Sequence, residues 1–328
     1  MVGGLGHLAQ DGESPQGSAR IMSGAMRPLL SLSLAVLLVG CRPLVPLVAH
    51  SDPLNTAGSP PDVVVLAMSG RCGPPCKAPR DSWDYLSSRG TLDAVASAIA
   101  AQGYTVQVAG YADNALESFQ PLKVSTPQRG YAALTKDFAR MKSAWFGPSP
   151  QGKSHAPRLV LLGHSHGSVW LHYLAQTNPD VPFALQIDLD GICASWNLDH
   201  GQDLAAHPVE QAGQPKAIDA CDLRRVGKGQ MRGKDIVWPN VAINLEVQSK
   251  RLPSGLSDSG GFYINYIFEV TPNMRPDGST DGVERYISWR EDHSAVTYPN
   301  SDAMKWVLRR TAEIAAGWKL QDRRSGGV

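Results

Sequence analysis

The sequence predicts an α/β protein with a mostly parallel central sheet of about six strands and helices on both faces. Continuous apolar runs of strand length recur along the chain, and such runs are typical of strands buried on both faces of a parallel sheet. The segments between them carry apolar residues at helical spacing. Strands that alternate with helices predict right-handed crossovers and an open sheet.

Six strands and four helices account for this pattern. The strands are predicted at 62–68, 105–109, 158–163, 183–189, 241–247 and 283–289. The helices are predicted from Thr91, where the threonine can act as the cap, over 131–145, after residue 163 through 174, and from 301 to 318. Two long segments that contain glycine and proline, 191–240 and 248–282, break the alternation. They are interpreted as lid-like insertions or as decorative surface loops.

Composition excludes several classes of protein. The chain has 328 residues, of which 42% are hydrophobic and 19% charged, with a formal net charge of +1. This apolar share is ample for a core and too high for a disordered chain. A net charge near zero gives no field that would attract phosphate backbones, so no nucleic-acid partner is expected. No long apolar run follows residue 50, which excludes a multispan membrane protein. The composition contains no signal for an oligomeric state.

The N-terminal segment has the layout of an export signal. A basic residue precedes a short apolar stretch that closes with Leu38-Val39-Gly40-Cys41. This ending resembles the lipobox of bacterial lipoproteins, which implies cleavage before Cys41, a lipid on its sulfur, and anchoring in the membrane of the bacterial cell envelope. Because signals lie at true N-termini, translation is expected to begin at Met22 or Met26. The alternative is an uncleaved anchor helix with an incidental cysteine.

The lipobox resemblance sets the predicted domain organisation. Residues 1–40 are interpreted as an N-terminal extension with the signal peptide, 41–61 as a proline-rich tether, and 62–322 as the folded domain.

Export also changes how the remaining cysteines are interpreted. An exported domain lies in an oxidising compartment, and four cysteines besides Cys41 allow three pairings. We favour disulfides between Cys72 and Cys76 and between Cys193 and Cys221. A zinc site at the first pair would lack a second pair of ligands nearby, so no metal ligand is predicted.

The segment Gly163-His164-Ser165-His166-Gly167 is the motif that predicts a catalytic function. It follows a predicted buried strand and precedes a helix, which is the context that the GxSxG pattern requires. The turn would hold Ser165 in a strained conformation at the N-terminal end of a helix, where the dipole is positive. With this flanking structure the chain resembles the α/β-hydrolase superfamily, and lipases and esterases in particular, over about residues 62–320. The resemblance implies Ser165 as the nucleophile and a lipid or other small-molecule carboxylic ester as substrate. No GxGxxG or phosphate loop is present, so no organic cofactor is expected.

The superfamily places its residues in the order serine, acid, histidine. His293 lies just past the sixth predicted strand, where the family has its base. For the acid we favour Asp190 at the tip of the fourth strand, with Glu246 as the second choice and Asp258 as a later candidate. The alternative is that Asp190 merely caps the turn before Gly191.

The oxyanion hole is expected to combine two backbone N–H groups. One belongs to His166, which follows the nucleophile, and the other to the turn after the first strand. That turn contains Ser69-Gly70 where many family members have His-Gly, and Arg71 occupies the position that usually donates.

Two other functions remain open at this stage. The run from Gly163 to His166 also resembles the Gly-His-Thr-His signature of calcineurin-like metallophosphoesterases, in which His164 and His166 would bind metal. That family also needs an early Asp-x-His, which the chain lacks. The second alternative is a catalytically inactive hydrolase fold that serves as a surface-anchored binding lipoprotein.

Overall fold

The computed structural model describes residues 53–73, 76–122, 124–147, 156–250 and 271–325. The predicted signal segment, Cys41, Asp258 and most of the predicted tether lie outside the described residues. The end of the tether segment that is described packs onto the domain: Leu54 is buried, and its N–H donates to Asp137 at 3.2 Å. None of the helices within the described ranges is long and apolar enough to cross a bilayer.

The described chain contains ten strands and six α-helices. The strands are β1 (Val63–Met68), β2 (Val106–Tyr111), β3 (Ser118–Phe119), β4 (Gln128–Arg129), β5 (Arg158–His164), β6 (Leu185–Leu189), β7 (Leu223–Val226), β8 (Gly229–Arg232), β9 (Asn244–Ser249) and β10 (Val283–Ser288). The helices are α1 (Tyr85–Ser88), α2 (Thr91–Ala100), α3 (Tyr131–Met141), α4 (His166–Thr177), α5 (Trp196–Ala206) and α6 (Asp302–Ser325). A π-helical segment, Lys142–Phe146, continues α3.

Six strands form the central sheet in the order β10-β9-β6-β5-β1-β2, and every neighbouring pair is parallel. Strands β3 and β4 pair with each other, as do β7 and β8, in two small antiparallel ribbons. The four strands β1, β2, β6 and β9 are buried along their whole length. Burial of both faces explains the continuous apolar run of β1, whereas β6 and β9 also bury polar side chains such as Asp188 and Glu246.

Side chains alternate between two apolar layers, one on each face of the sheet. In β1, Val64 and Leu66 face the cluster that contains α3 and α4 residues. Val63 and Val65 face the cluster that contains α2 and α6 residues. Helices therefore cover both faces, and the predicted fold class, a parallel central sheet of six strands with helices on both faces, is confirmed.

Two local predictions were wrong. Thr91 is the first residue of α2 rather than its cap, because Gly90 holds the cap position at φ 75° and the Thr91 hydroxyl donates to the Thr297 carbonyl at 2.6 Å. The fifth strand was predicted from Val241, but the continuous strand β9 begins at Asn244, and Val241 forms an isolated parallel bridge with Phe183. The Arg275 guanidinium binds the carbonyls of Val241 and Ala242.

Candidate active site

Ser165 lies at a strained turn between β5 and α4. Its backbone has φ 57° and ψ −130°, a region that non-glycine residues rarely adopt and that typically marks a functional constraint. Gly167 makes the turn possible, because a Cβ at this position would overlap the Met68 carbonyl oxygen of β1. The geometry is that of the nucleophile elbow that the GxSxG pattern predicts.

The hydroxyl of Ser165 is presented at this turn but is not open to solvent. The residue is 1% exposed, and its Oγ makes no hydrogen bond to any residue that the structure describes. A buried hydroxyl without a partner is rare in folded proteins and requires an explanation.

His293 and Asp190 are in direct contact. His293 Nδ1 lies 2.8 Å from Asp190 Oδ2, and the imidazole is 13% exposed while the carboxylate is buried. The Asp190 carboxylate also accepts from the Ser249 N–H at 2.6 Å and from the Ser249 hydroxyl. A carboxylate at Nδ1 assigns the proton to that nitrogen, which leaves Nε2 as the basic one.

The second choice for the acid, Glu246, is engaged elsewhere. Its carboxylate pairs with the Arg285 guanidinium and accepts from the Asn273 N–H at 3.1 Å. The two positions differ because β6 ends at Leu189, so that Asp190 adopts φ 54° beyond the strand. Glu246 lies inside β9, opposite Asp188. Of the two candidates, the structure brings Asp190 to the imidazole.

A chain of hydrogen bonds links three parts of the candidate site, and we call it the Tyr85 relay. The Gly70 N–H donates to the Tyr85 hydroxyl at 2.7 Å, and that hydroxyl contacts His164 Nδ1. His164 Nε2 in turn lies 2.7 Å from the carbonyl oxygen of His293. The relay therefore connects the turn after β1, the strand before Ser165 and the loop that carries His293.

The relay fixes the protonation of His164. Burial, followed by the nearby His293, lowers the pKa of His164 well below its usual value, so the ring is neutral. The Tyr85 hydroxyl donates to Nδ1, and the Nε2–H donates to the His293 carbonyl. Burial also raises the pKa of Tyr85 well above its usual value, which keeps the phenol protonated as this donor.

One expected oxyanion donor is the residue after Ser165, and the turn that precedes the other approaches the Ser165 hydroxyl. His166 is the first residue of α4, so its N–H has no acceptor within the helix. On the other side, a Cβ on Gly70 would overlap Ser165 Cβ and lie 3.0 Å from Oγ, which shows how closely this turn approaches the hydroxyl. Because the Gly70 N–H is bound to Tyr85, the next amide, that of Arg71, is the one left at this turn. The Arg71 side chain forms an ion pair with Asp199 of α5.

The two histidines required by the metallophosphoesterase alternative belong to different networks. His164 is part of the relay, whereas His166 Nδ1 lies 3.2 Å from Asp113 and its Nε2 lies 2.8 Å from the Ala194 carbonyl. They do not converge on one ion, because α4 begins at His166 and ends the strand spacing on which that interpretation depended.

The structure pairs the cysteines as expected. Cys72 is bonded to Cys76, with Cα atoms 5.9 Å apart, and Cys193 to Cys221, with Cα atoms 5.7 Å apart. The first bridge follows Arg71 directly, and the second begins three residues after Asp190. Each disulfide therefore lies beside a loop that supplies a candidate site residue.

Sequence analysis missed several residues that support the site, namely Tyr85, Asp113, Ser249 and His200. None of them falls in a motif, and each reaches the site through tertiary packing. Tyr85 follows a run of polar and aromatic residues without helical period. Ser249 had a weak signal, since it ends the strand next to the one that precedes Asp190, and parallel neighbours end at the same edge.

Comparison with known proteins yields similarity of fold only. No protein-family model matches the chain, and no curated protein matches its sequence. One of two metagenome-derived lipolytic enzymes, LipS and LipT, is 17% identical, with 82% of this chain and 99% of that chain covered and a TM-score of 0.37. Esterase LipW from Mycobacterium marinum is 13% identical, with coverages of 80% and 74% and a TM-score of 0.42. The peroxisomal α/β-hydrolase Lpx1 from Saccharomyces cerevisiae is 9% identical, with coverages of 80% and 79% and a TM-score of 0.36. Identities and TM-scores this low carry no information about the substrate of this chain.

Proposed function

We propose that this chain is an exported, lipid-anchored serine hydrolase that cleaves carboxylic esters of lipids or other small molecules. The observation that carries the proposal is the coincidence of two strained residues at one edge of the sheet. Ser165 and Asp190 both have positive φ, they follow adjacent strands, and Asp190 is bonded to His293. Such strain persists where the surrounding structure enforces it, and it clusters at active sites.

Each residue has a role in the proposed acyl transfer. Asp190 holds the proton on His293 Nδ1, so that Nε2 can accept the proton of the Ser165 hydroxyl as its oxygen attacks the ester carbonyl. The N–H groups of His166 and Arg71 bind the oxyanion that forms. His293 then returns the proton to the leaving alcohol, and water releases the acyl group from Ser165 by the same steps in reverse order.

Burial of Ser165 sets a condition on this mechanism. At 1% exposure Ser165 offers an ester little surface, so the proposal depends on access to its hydroxyl. In many enzymes a loop or lid controls such access. A small, reactive probe reports on access directly.

A fluorophosphonate probe tests the nucleophile. We expect labelling of the purified chain and loss of labelling in Ser165→Ala, because only an activated serine attacks the probe. Absence of labelling in the wild-type chain would contradict the proposal and favour the inactive binding lipoprotein.

Hydrolysis of p-nitrophenyl esters of graded chain length tests the acid. We expect Asp190→Asn to lower kcat by about 10⁴-fold, as loss of the orienting carboxylate does in a related triad. Glu246→Gln is the matched control, since it also neutralises a buried carboxylate of the same sheet. If only the change at Glu246 abolished turnover, the assignment of Asp190 would be wrong.

The predicted lipid anchor has its own test. Cells that express the full chain and are fed a radiolabelled fatty acid should produce a labelled, membrane-bound protein. The Cys41→Ser variant should carry no label and should not be attached to the membrane. Wild-type protein that fractionates without label would remove the lipoprotein part of the proposal and leave the hydrolase part standing.

A further inference from the structure

A cluster of three titratable side chains lies beside the nucleophile turn and takes no part in the proposed reaction. Asp113 follows β2, His166 opens α4, and His200 lies in α5; all three are 0% exposed. One ligand atom from each residue can be chosen so that the three atoms lie within 4.8 Å of one another. We call this set the Asp113 cluster.

The cluster contains a buried carboxyl group. Asp113 is 0% exposed, and a carboxylate in such a position is stabilised when a cation is buried beside it. The Arg71 guanidinium is not that cation, since it is paired with Asp199.

His200 is the member that the protein alone does not satisfy. Its Nε2 lies 2.9 Å from Asp113 Oδ1, yet neither ring nitrogen makes a hydrogen bond within the described part of the chain. The nitrogen is thus close to the carboxylate oxygen but not directed at it. Ligand atoms of a metal ion have this arrangement, because they point at the ion rather than at one another. An imidazole left unpaired in a core would otherwise destabilise the fold.

The contacts around the cluster orient its ligand atoms. His166 donates its Nε2–H to the Ala194 carbonyl at 2.8 Å, which turns Nδ1 toward Asp113. Trp170 donates its indole N–H to Asp113 Oδ1 at 2.9 Å. Ligating histidines usually donate their other N–H to a carbonyl or carboxylate in this way. Ala194 is itself held next to the Cys193–Cys221 disulfide.

We propose that Asp113, His166 and His200 bind a divalent transition-metal ion, with Zn²⁺ as the ion that two imidazoles and one carboxylate favour. The ion places a positive charge beside the Asp113 carboxylate and gives His200 a partner. The site is structural: it ties the loop after β2 and helix α5 to the start of α4, and it does not depend on hydrolase activity.

Metal analysis of the purified chain, prepared without a polyhistidine tag or chelator, tests the proposal. After incubation with Zn²⁺ and extensive dialysis we expect about one ion per chain, the stoichiometry of a specific site. Treatment with 1,10-phenanthroline should remove the ion and lower Tm, and added Zn²⁺ should restore it. A chain that retains no zinc and shows no change in Tm would overturn the proposal and leave a hydrogen-bonded network.

Two variants sharpen the comparison. His200→Gln should lose the bound zinc, whereas His172→Gln should keep it, because His172 is an equally buried histidine bonded to Asp188 and the Ile236 carbonyl outside the cluster. Equal zinc in both variants would contradict the assignment. If His200→Gln does not fold, binding of Co²⁺ to the zinc-free wild-type chain gives the answer by its absorption spectrum: bands of nitrogen- and oxygen-ligated Co²⁺ support the site, and their absence refutes it.

Failure of the metal site and failure of the hydrolase proposal are distinguishable. Ser165→Ala should bind the same amount of zinc as the wild-type chain while losing reactivity toward the fluorophosphonate probe. Zinc that disappears with Ser165→Ala would place the ion at the reacting serine and overturn the structural assignment.

Discussion

The Tyr85 relay makes a sharp prediction, because a single oxygen atom connects three loops of the candidate site. Tyr85→Phe removes that oxygen and keeps the ring that packs in the core. The Gly70 N–H and His164 Nδ1 then lose their partners, and both groups are buried. Leaving one buried polar group unpaired costs about 1–3 kcal/mol, so the expected loss in the free energy of unfolding is about 2–6 kcal/mol.

The effect on catalysis should exceed what stability alone explains. His164 without Tyr85 is free to rotate, and the His293 carbonyl then loses its fixed donor. Misplacement of a catalytic group by about 1 Å costs on the order of 100-fold in rate. We expect kcat for p-nitrophenyl esters to fall about 10- to 100-fold, with a smaller change in KM, at a temperature well below the variant's Tm.

Tyr104→Phe is the matched control. It also removes a tyrosine hydroxyl from a mostly buried ring, but this hydroxyl has one partner, Asp322 at 2.9 Å, and contacts no residue of the candidate site. It should cost about 1 kcal/mol and leave kcat unchanged. A Tyr85→Phe chain that is folded, with the kcat of the wild type, would refute the idea that the relay positions His293.

Two further predictions concern stability. Burial opposes a charge on His172, but Asp188 and the hydrogen bonds to Asp188 and the Ile236 carbonyl raise its pKa above 6.5. The folded chain therefore binds a proton that the unfolded chain has released. Stability present below pH 6.5 is lost as the pH rises through the folded pKa, by up to about 1.4 kcal/mol per pH unit. The free energy of unfolding in urea, measured from pH 6 to 9, should show this loss for the wild type and for His207→Gln, a variant at an exposed histidine. It should not show the loss for His172→Gln. The same pH dependence in all three chains would contradict the prediction. Reduction of the two disulfides should lower Tm, since a loop of 28 residues is worth about 3–4 kcal/mol. An unchanged Tm after verified reduction would show that neither bridge restrains the unfolded chain.

The sheet could be predicted from sequence because the central strands are either apolar throughout or carry polar residues mainly at alternate positions. Val63–Met68 is an apolar run buried on both faces, whereas Leu185–Leu189 alternates apolar residues with Gln186 and Asp188. The start of β9 was misplaced because Val241 is as apolar as a strand residue and does pair with Phe183, but only as an isolated bridge. The Arg275 guanidinium that binds its carbonyl comes from a distant part of the chain and leaves no local signal.

The same distinction applies to the candidate site: features set by neighbouring residues in the chain could be predicted, and contacts between distant segments could not. The turn at Ser165 could be predicted because its steric demands are met by residues adjacent in the chain. The partners of His164 and His166 could not, because Tyr85 and Asp113 arrive from other loops. Asp190 lies between these cases. Its position at the end of a strand could be predicted from the sequence, but the choice between Asp190 and Glu246 required knowing which carboxylate contacts His293.

The two histidines that flank Ser165 bind different parts of the structure. His164 is neutral and uses both ring nitrogens to join the turn after β1 to the His293 loop. His166 contacts Asp113, which follows β2, and the Ala194 carbonyl in the loop beyond Asp190. An imidazole can bridge two such loops because its nitrogens lie on opposite sides of a rigid ring. A glutamine at either position could keep one of the two bonds, but its flexible stem would not hold the loops at a fixed separation. The nucleophile turn is therefore held from both sides, and a strained φ at Ser165 can persist because neither neighbour is free to relax it.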